Sequence, residues 1–174
     1  MKPAELQSFI RDVPDFPKPG IMFKDITPLL RSADALSNAC AMMAEPFRDR
    51  GVTLVAGIES RGFIFGSIVA QNLGAGFVPI RKPGKLPWTK RRHEYVLEYG
   101  SDALEIHDDA LAPSDKVLVI DDVLATGGTL VAATQLVHGF DATLVGAAVL
   151  IELGFLNGRL KFEDDAIVHS VLRY

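Results

Sequence analysis

The chain reads as an α/β domain with a mainly parallel central sheet flanked by helices. Three observations predict this. Runs such as Val117–Ile120 and Ala142–Ile151 are largely apolar without alternation, as strands buried on both faces are. Between such runs lie segments with apolar residues at helical spacing, for example Leu36, Cys40, Met43 and Phe47. Twice a strand-like run ends in a short polar or glycine-containing loop that opens a helical pattern, the repeating unit of α/β folds. At 174 residues with 48% hydrophobic and 23% charged content, residues 1–174 fit a single domain with a sizeable core.

Taken in order, residues 4–13 can form a short helix with Leu6, Phe9, Ile10 and Val13 toward one side. Pro14, Pro17 and Pro19, followed by Gly20, then rule out a regular helix and favour a stiff, extended cover segment. Thr27 is placed as an N-cap, with Pro28 in the favoured first helical position. On residue pattern alone the corner built from Phe16, Phe23 and Ile26 is simply packed core. The Leu36–Phe47 stripe predicts a long helix disturbed by Pro46 and ended by Gly51. Cys40 lies within that stripe, so it reads as a buried, inert thiol.

Thr53 to Ile58 is the next strand. It ends in Glu59-Ser60-Arg61-Gly62, after which Phe63 to Leu73 forms a helix closed by Gly74. A loop of this kind points backbone donors at an anion, and the Arg61 guanidinium can make paired bonds to phosphate oxygens. A surface arginine capping a carbonyl fits the same pattern. Phe77 to Ile80 is a third strand, followed by a basic, Pro- and Gly-punctuated run from Arg81 to His93. Such a run predicts a mobile loop: a solvated face in the plain reading, a lid over a polyanion in the functional one. Trp88 would anchor it. Tyr95 to Gly100 and Leu104 to His107 read as short strands of an antiparallel flap, in which Glu98 could be an ordinary solvated residue.

The most informative stretch is Val117 to Thr129. An apolar strand gives way to Asp121-Asp122, then to Ala125-Thr126-Gly127-Gly128-Thr129, and a helix follows through Leu130, Ala133 and Val137 to Gly139. Backbone N–H groups at a helix start bind phosphate, while carboxylates at a strand end accept sugar hydroxyls or hold a cation's waters. The ligand this suggests is a sugar phosphate. A P-loop is excluded, because Gly84-Lys85 is followed by Leu86 and Pro79 stands where the first glycine belongs. A dinucleotide fingerprint fails as well, because Pro79 replaces the third glycine after Gly74-Ala75-Gly76. Nor is Ser60 a hydrolase elbow, since Ile58 replaces the first glycine of that motif. The strand Ala142–Ile151, a short helix near Phe155 to Phe162 and a last strand, Ala166 to Leu172, complete the chain.

A formal net charge of −4 argues against a general nucleic-acid binder. With Cys40 as the only cysteine, no intrachain disulfide can form. The apolar runs are strand-sized, too short to span a bilayer, and the N-terminus lacks the apolar core of a secretory signal. A cytoplasmic protein without a membrane partner is expected.

The apolar run, Asp-Asp and Ala-Thr-Gly-Gly-Thr together resemble the ribose-phosphate signature of the type I phosphoribosyltransferase family, which binds phosphoribosyl pyrophosphate (PRPP). Further segments are similar to its adenine-using members: Asp12 to Ile21, Phe23 to Leu30, Glu59 to Phe63, Arg81 to Pro87 and Leu97 to Gly100, in the same order along the chain. This resemblance implies the type I phosphoribosyltransferase fold, with residues 1–34 as a hood and residues 81–100 as a flexible catalytic loop or flap. It implies PRPP and adenine as substrates and AMP and pyrophosphate as products, with Mg²⁺ as cofactor, no nucleic-acid partner and a homodimer.

Carried over residue by residue, Asp121 and Asp122 face the ribose hydroxyls and the magnesium, which is held mainly by PRPP itself. Ala125, Thr126, Gly127, Gly128 and Thr129 hold the 5′-phosphate. Glu59, Ser60 and Arg61 face the pyrophosphate, with help from Arg81, Lys82 and Lys85. Met22, Phe23, Lys24 and Val123 surround the base, and Glu98, with Arg61 the implied catalytic residue, becomes the proton-transfer group. The run Trp88–His93 is more basic than the family pattern, and Met22 is bulkier than the residue usual there. Two rivals stay open on residues alone: a transferase for another base, such as xanthine or guanine, and a PRPP-sensing regulator without turnover.

Overall fold

The computed structural model describes residues 1–97, 100–162 and 167–174. Five strands form one parallel sheet: β3 (Leu54–Ile58), β4 (Gly76–Ile80), β7 (Lys116–Leu124), β8 (Thr143–Glu152) and β9 (Val168–Arg173). Their order is β4-β3-β7-β8-β9. Two antiparallel ribbons stand apart from it, β1 (Arg11–Pro14) with β2 (Met22–Asp25), and β5 (Lys90–Leu97) with β6 (Gly100–His107). The helices are α1 (Pro3–Leu6), α2 (Thr27–Arg31), α3 (Ala33–Ala44), α4 (Arg61–Leu73) and α5 (Gly128–His138).

The unalternating apolar run of β7 is explained by its central place. Leu118 and Ile120 pack with Met43, Phe47 and Phe65 on the α3/α4 face. Val117 and Val119 pack with Leu130 and Val137 on the α5 face. Each such side chain, fully buried, contributes roughly 1.5–3 kcal/mol of burial free energy. The expected stripe is buried but does not run on one helix: Leu36 is half-buried, Cys40 and Met43 on α3 and Phe47 in the 3₁₀ turn Glu45–Phe47 that follows it are fully buried, and burial pushes the Cys40 thiol up to about 12.

Chain order reverses between β3 and β7: the crossover through α4 leads outward to β4, and that through α5 leads the other way to β8. In parallel sheets a crevice opens at such a reversal, outside the C-terminal ends of the strands. Here those ends carry Glu59 and the Asp121–Thr129 stretch.

Several local expectations are corrected. The N-terminal helix stops at Leu6 with a 3₁₀ turn at Gln7–Phe9, and Val13 belongs to β1, because pairing with β2 satisfies the backbone of residues 11–14. Thr27 is not the cap; the Asp25 carboxylate accepts the Thr27 N–H at 2.9 Å and its hydroxyl at 2.8 Å. The basic run Lys90–His93 is strand, not loop, since its charges are matched within the chain. Lys90 lies 3.5 Å from Glu105, Arg92 lies 2.9 Å from Glu94, and Arg91 covers the Phe140 ring at 3.9 Å while donating to the Gly139 carbonyl. Trp88 is 66% exposed, too open to anchor the segment. The segment after β8 forms two 3₁₀ turns, Gly154–Leu156 and Gly158–Lys161, in place of one helix.

Candidate active site

β3 delivers its last residue, Ile58, into the core, and the chain turns through Glu59 and Ser60 into α4 at Arg61. Gly62 makes this turn fit. A Cβ there would stand 2.7 Å from the Ile120 carbonyl oxygen and 3.2 Å from the Asp121 Cα, so only glycine lets the start of α4 lie on β7. That contact sets Arg61 Nε 2.9 Å from Asp122 Oδ2, with the Asp122 side chain nearly buried.

β7 runs through both aspartates to Leu124, farther than the apolar run indicated. The loop Ala125–Gly127 then bends at Gly127, whose φ of +84° suits glycine, into the N-terminus of α5. A segment remote in sequence seats this loop. A Cβ at Gly158 would lie 2.8 Å from the Gly127 nitrogen and would meet the Ala125 carbonyl oxygen closer still. Arg159, the next residue, is clamped to the buried Glu152 by Nε at 3.1 Å and Nη2 at 2.5 Å, and bonds Ser170 at 2.9 Å. The Arg159 bonds hold the Glu152 carboxyl below its ordinary range.

Between these parts lies a cavity of about 310 Å³, lined by Glu59, Ser60, Arg61, Lys82, Asp121, Asp122, Val123 and the whole loop Ala125–Thr129. A larger groove, about 990 Å³, opens beside Arg50, Lys116 and Thr143 and contains none of the candidate site residues named from sequence. Lys116 and Thr143 begin their strands, so that groove is at the N-terminal edge of the sheet, where α/β ligands do not ordinarily bind.

The remaining candidates lie around the cavity. Phe23 presents its ring 5.5 Å from the Arg61 guanidinium and packs edge-on against Phe16. Met22, on the same ribbon, is 47% exposed. Lys24 turns its ammonium to Asp12 at 2.6 Å and over the Tyr174 ring at 3.8 Å, not into the cavity. Arg81 is engaged by Glu59 through Nε at 3.1 Å and Nη2 at 3.3 Å, and Lys85 is exposed. Burial would raise the Glu59 carboxyl, but its bonds from Arg81 and the Lys82 N–H outweigh that and hold it low. Glu98 lies outside the described residues.

The paired aspartates are electrostatically uncomfortable. Burial raises Asp121 well above the ordinary carboxylate range, and the charge of Asp122 raises it further. Burial also raises Asp122, against the pull of Arg61. Two adjacent carboxylates that resist joint ionisation, beside a helix start and an arginine, suit a polyanion that brings its own cation.

A model of the phosphoribosyl transferase domain matches residues 28–172. An adenine phosphoribosyltransferase from Nitrosococcus oceani is 52% identical over 169 residues, covering 97% of this chain and 98% of that one. The chain belongs to the adenine phosphoribosyltransferase family. The adenine phosphoribosyltransferase from Symbiobacterium thermophilum is 54% identical over 167 residues, 96% of this chain and 98% of its own. Among solved structures, the Rhodothermus marinus adenine phosphoribosyltransferase superposes with a TM-score of 0.94 at 50% identity, covering 99% and 98% of the two chains. The Saccharomyces cerevisiae adenine phosphoribosyltransferase, complexed with an imino-altritol bisphosphate and adenine, gives 0.90 at 39%, with 98% of each chain covered.

The family is an Mg-using one by the resemblance drawn above, and the donor set bears on that. Among the described residues no group of three or more His, Cys, Asp or Glu could hold a metal ion. Asp121 and Asp122 alone would leave most of an octahedral shell to water and substrate oxygens, which is how Mg²⁺ is commonly held beside phosphates. The residues therefore fit a magnesium that arrives with its substrate. Sequence reasoning missed Gly158 and Arg159, and met Gly62 only as part of the Glu59–Phe63 segment. Only the Asn157-Gly158 pair carried a local signal, that of a turn.

Proposed function

We propose that this chain transfers the 5-phosphoribosyl group of PRPP to adenine, giving AMP and pyrophosphate. The observation that carries the reading is the convergence of the Arg61 turn, the aspartate pair and the Ala125–Thr129 loop on one cavity of a chain in this family. A nitrogen of adenine bonds to the anomeric carbon as the bond to the pyrophosphate oxygen breaks. Positive charge grows on the ribose ring and negative charge on the leaving group.

In this proposal the backbone donors of Ala125–Thr129, at the α5 N-terminus, grip the 5′-phosphate and fix the sugar. Asp121 and Asp122 accept the ribose hydroxyls. Arg61 and Lys82 spread the charge of the pyrophosphate. Magnesium, when bound, neutralises that charge further, with Asp121 and Asp122 holding its waters. The ribbon carrying Met22, Phe23 and Lys24 covers the base, Val123 supports it from the sheet, and Glu98 takes the proton that adenine loses. Arg81 and Lys85 stand outside the cavity of one chain, which supports a homodimer in which they serve a neighbouring pyrophosphate site. A cytoplasmic location belongs to the same proposal; no described helix is long and apolar enough to cross a membrane.

The test is purified protein with PRPP and Mg²⁺ against adenine, guanine, hypoxanthine, xanthine and uracil, following nucleotide formation. Turnover of adenine above the other bases is expected. PRPP binding with no turnover of any base would replace the enzyme reading by the sensor.

A further inference from the structure

A network of polar side chains outside the expected site joins the two ends of the cavity. Tyr95 and Asp102 are cross-strand partners in the β5–β6 hairpin, so their side chains share a face. The Lys82 ammonium donates to Asp102 Oδ2, and to the Tyr95 hydroxyl at 3.1 Å. The same hydroxyl stands 3.1 Å from Asp102 Oδ2 and 3.2 Å from the Thr129 hydroxyl. Lys82 and Thr129 both line the cavity, one from the β4–β5 connection and one from the first turn of α5.

Counting hydrogens shows what this arrangement can transmit. An ammonium has three N–H donors. Asp102 and Tyr95 take two of those on Lys82, so one remains for a ligand oxygen. A tyrosine hydroxyl has a single hydrogen, so Tyr95 can donate to Asp102 or to Thr129 but not to both. Once Thr129 gives its own hydrogen to a phosphate oxygen, its oxygen becomes an acceptor for Tyr95. The Tyr95 hydrogen then leaves Asp102, which is left to Lys82 and the Ala103 N–H. Burial lowers Lys82 and raises Asp102, but in each the bonds to the other, to Tyr95 and, for Asp102, from the Ala103 N–H, with their mutual charge attraction, together outweigh burial, so the pair stays charged across the neutral range.

We propose that Tyr95 and Asp102 are positioning residues that relay occupancy of the Thr129 phosphate loop to the Lys82 ammonium, so that the two phosphate-binding ends of the cavity bind cooperatively. The assignment of those ends to 5′-phosphate and pyrophosphate rests on the function proposed above. The relay would favour a substrate carrying both groups over its separate halves. A structural staple between hairpin and α5 would instead affect every ligand alike.

The experiment measures, by calorimetry with Mg²⁺ present, the dissociation constant of pyrophosphate alone and with saturating ribose 5-phosphate, and the converse. In the unaltered protein each ligand should tighten the other at least about fivefold, the lower end of ordinary coupling between sites. Tyr95→Phe keeps the ring beside Lys82 and removes only the hydroxyl. It should bring that factor to near one while each ligand alone binds within about twofold of the unaltered protein, well below one tenfold step. Asp102→Asn, which keeps the shape of the side chain, should abolish the factor as well. Absence of coupling in the unaltered protein, coupling that survives both substitutions, or uniform weakening of both ligands with a lowered melting temperature would each overturn the relay. Adenine turnover from PRPP is measured on the same preparation. Coupling without turnover would retain the relay and remove the enzymatic reading.

Discussion

Arg61 and Asp122 hold one another at 2.9 Å across a cavity to which both were expected to contribute free charge. Asp122 is nearly buried and Arg61 partly open, so the guanidinium keeps N–H groups for a ligand while Nε compensates the carboxylate. Asp122 on the sheet thereby fixes the aim of the guanidinium. Arg61→Met should reduce kcat/KM for PRPP by on the order of 10²-fold, the scale of losing one charged donor to a transition-state oxygen. The KM for adenine should change little. Steady-state kinetics with each substrate varied checks this, and equal losses for both would count against an Arg61 role at the pyrophosphate end.

The aspartate pair sets a conflict between stability and binding. Because the folded-state pKa of Asp121 is raised above its unfolded value, its contribution is fully present below that value, about 4, and is lost as pH rises through the raised one. At neutral pH the ligand-free protein carries this penalty. Asp121→Asn keeps an acceptor for the Asp122 N–H, now served at 2.8 Å, and removes the charge. It should raise the melting temperature at pH 8 by a few degrees, about 1 kcal/mol for a chain of this size, and by less at pH 5. It should also weaken Mg-PRPP binding. A lower melting temperature at pH 8 would contradict the sign.

Gly158 should be intolerant of any side chain. A Cβ there would come within 2.8 Å of the Gly127 nitrogen and nearer still to the Ala125 carbonyl, so Gly158→Ala must displace the Ala125–Gly127 loop. A shift of this size can cost roughly 10–10²-fold in catalysis. The expected result is a raised KM for PRPP with adenine KM preserved and the circular dichroism spectrum unchanged; an unaltered PRPP KM would show that the loop is not seated from below.

Glu98→Gln should leave PRPP affinity intact and lower turnover by about 10²–10⁴-fold, the usual contribution of a positioned acid–base group. Pre-steady-state measurement of AMP formation separates this from product release. Turnover equal to the unaltered protein would remove the proton-transfer assignment.

Much of this was legible because local physics writes it locally. The uninterrupted apolar run before Asp121 predicted a strand buried on both faces, and Leu118 and Val119 do pack on opposite sides. Gly127 announced a backbone that L side chains rarely adopt, and it has φ +84°. The basic run misled, because charge pattern shows sign but not partner: Lys90 finds Glu105 only once the hairpin register is set. The 3₁₀ turns after β8 were equally hidden, since they are held by Arg159 on Glu152, a bond between an irregular segment and a strand end.

By itself the sequence determined the fold class, the strand–glycine loop–helix unit at Asp121–Thr129 and the family resemblance, since each rests on residues adjacent in the chain whose propensities and backbone freedom act at short range. Tertiary structure decided the rest. It joined Arg61 to Asp122, set Gly158 under Gly127, and linked Tyr95 to Thr129, 34 residues away. These relationships depend on strand order and close packing between remote segments, and a hydrogen bond or a missing Cβ matters only when the fold has brought its partner within a few ångströms.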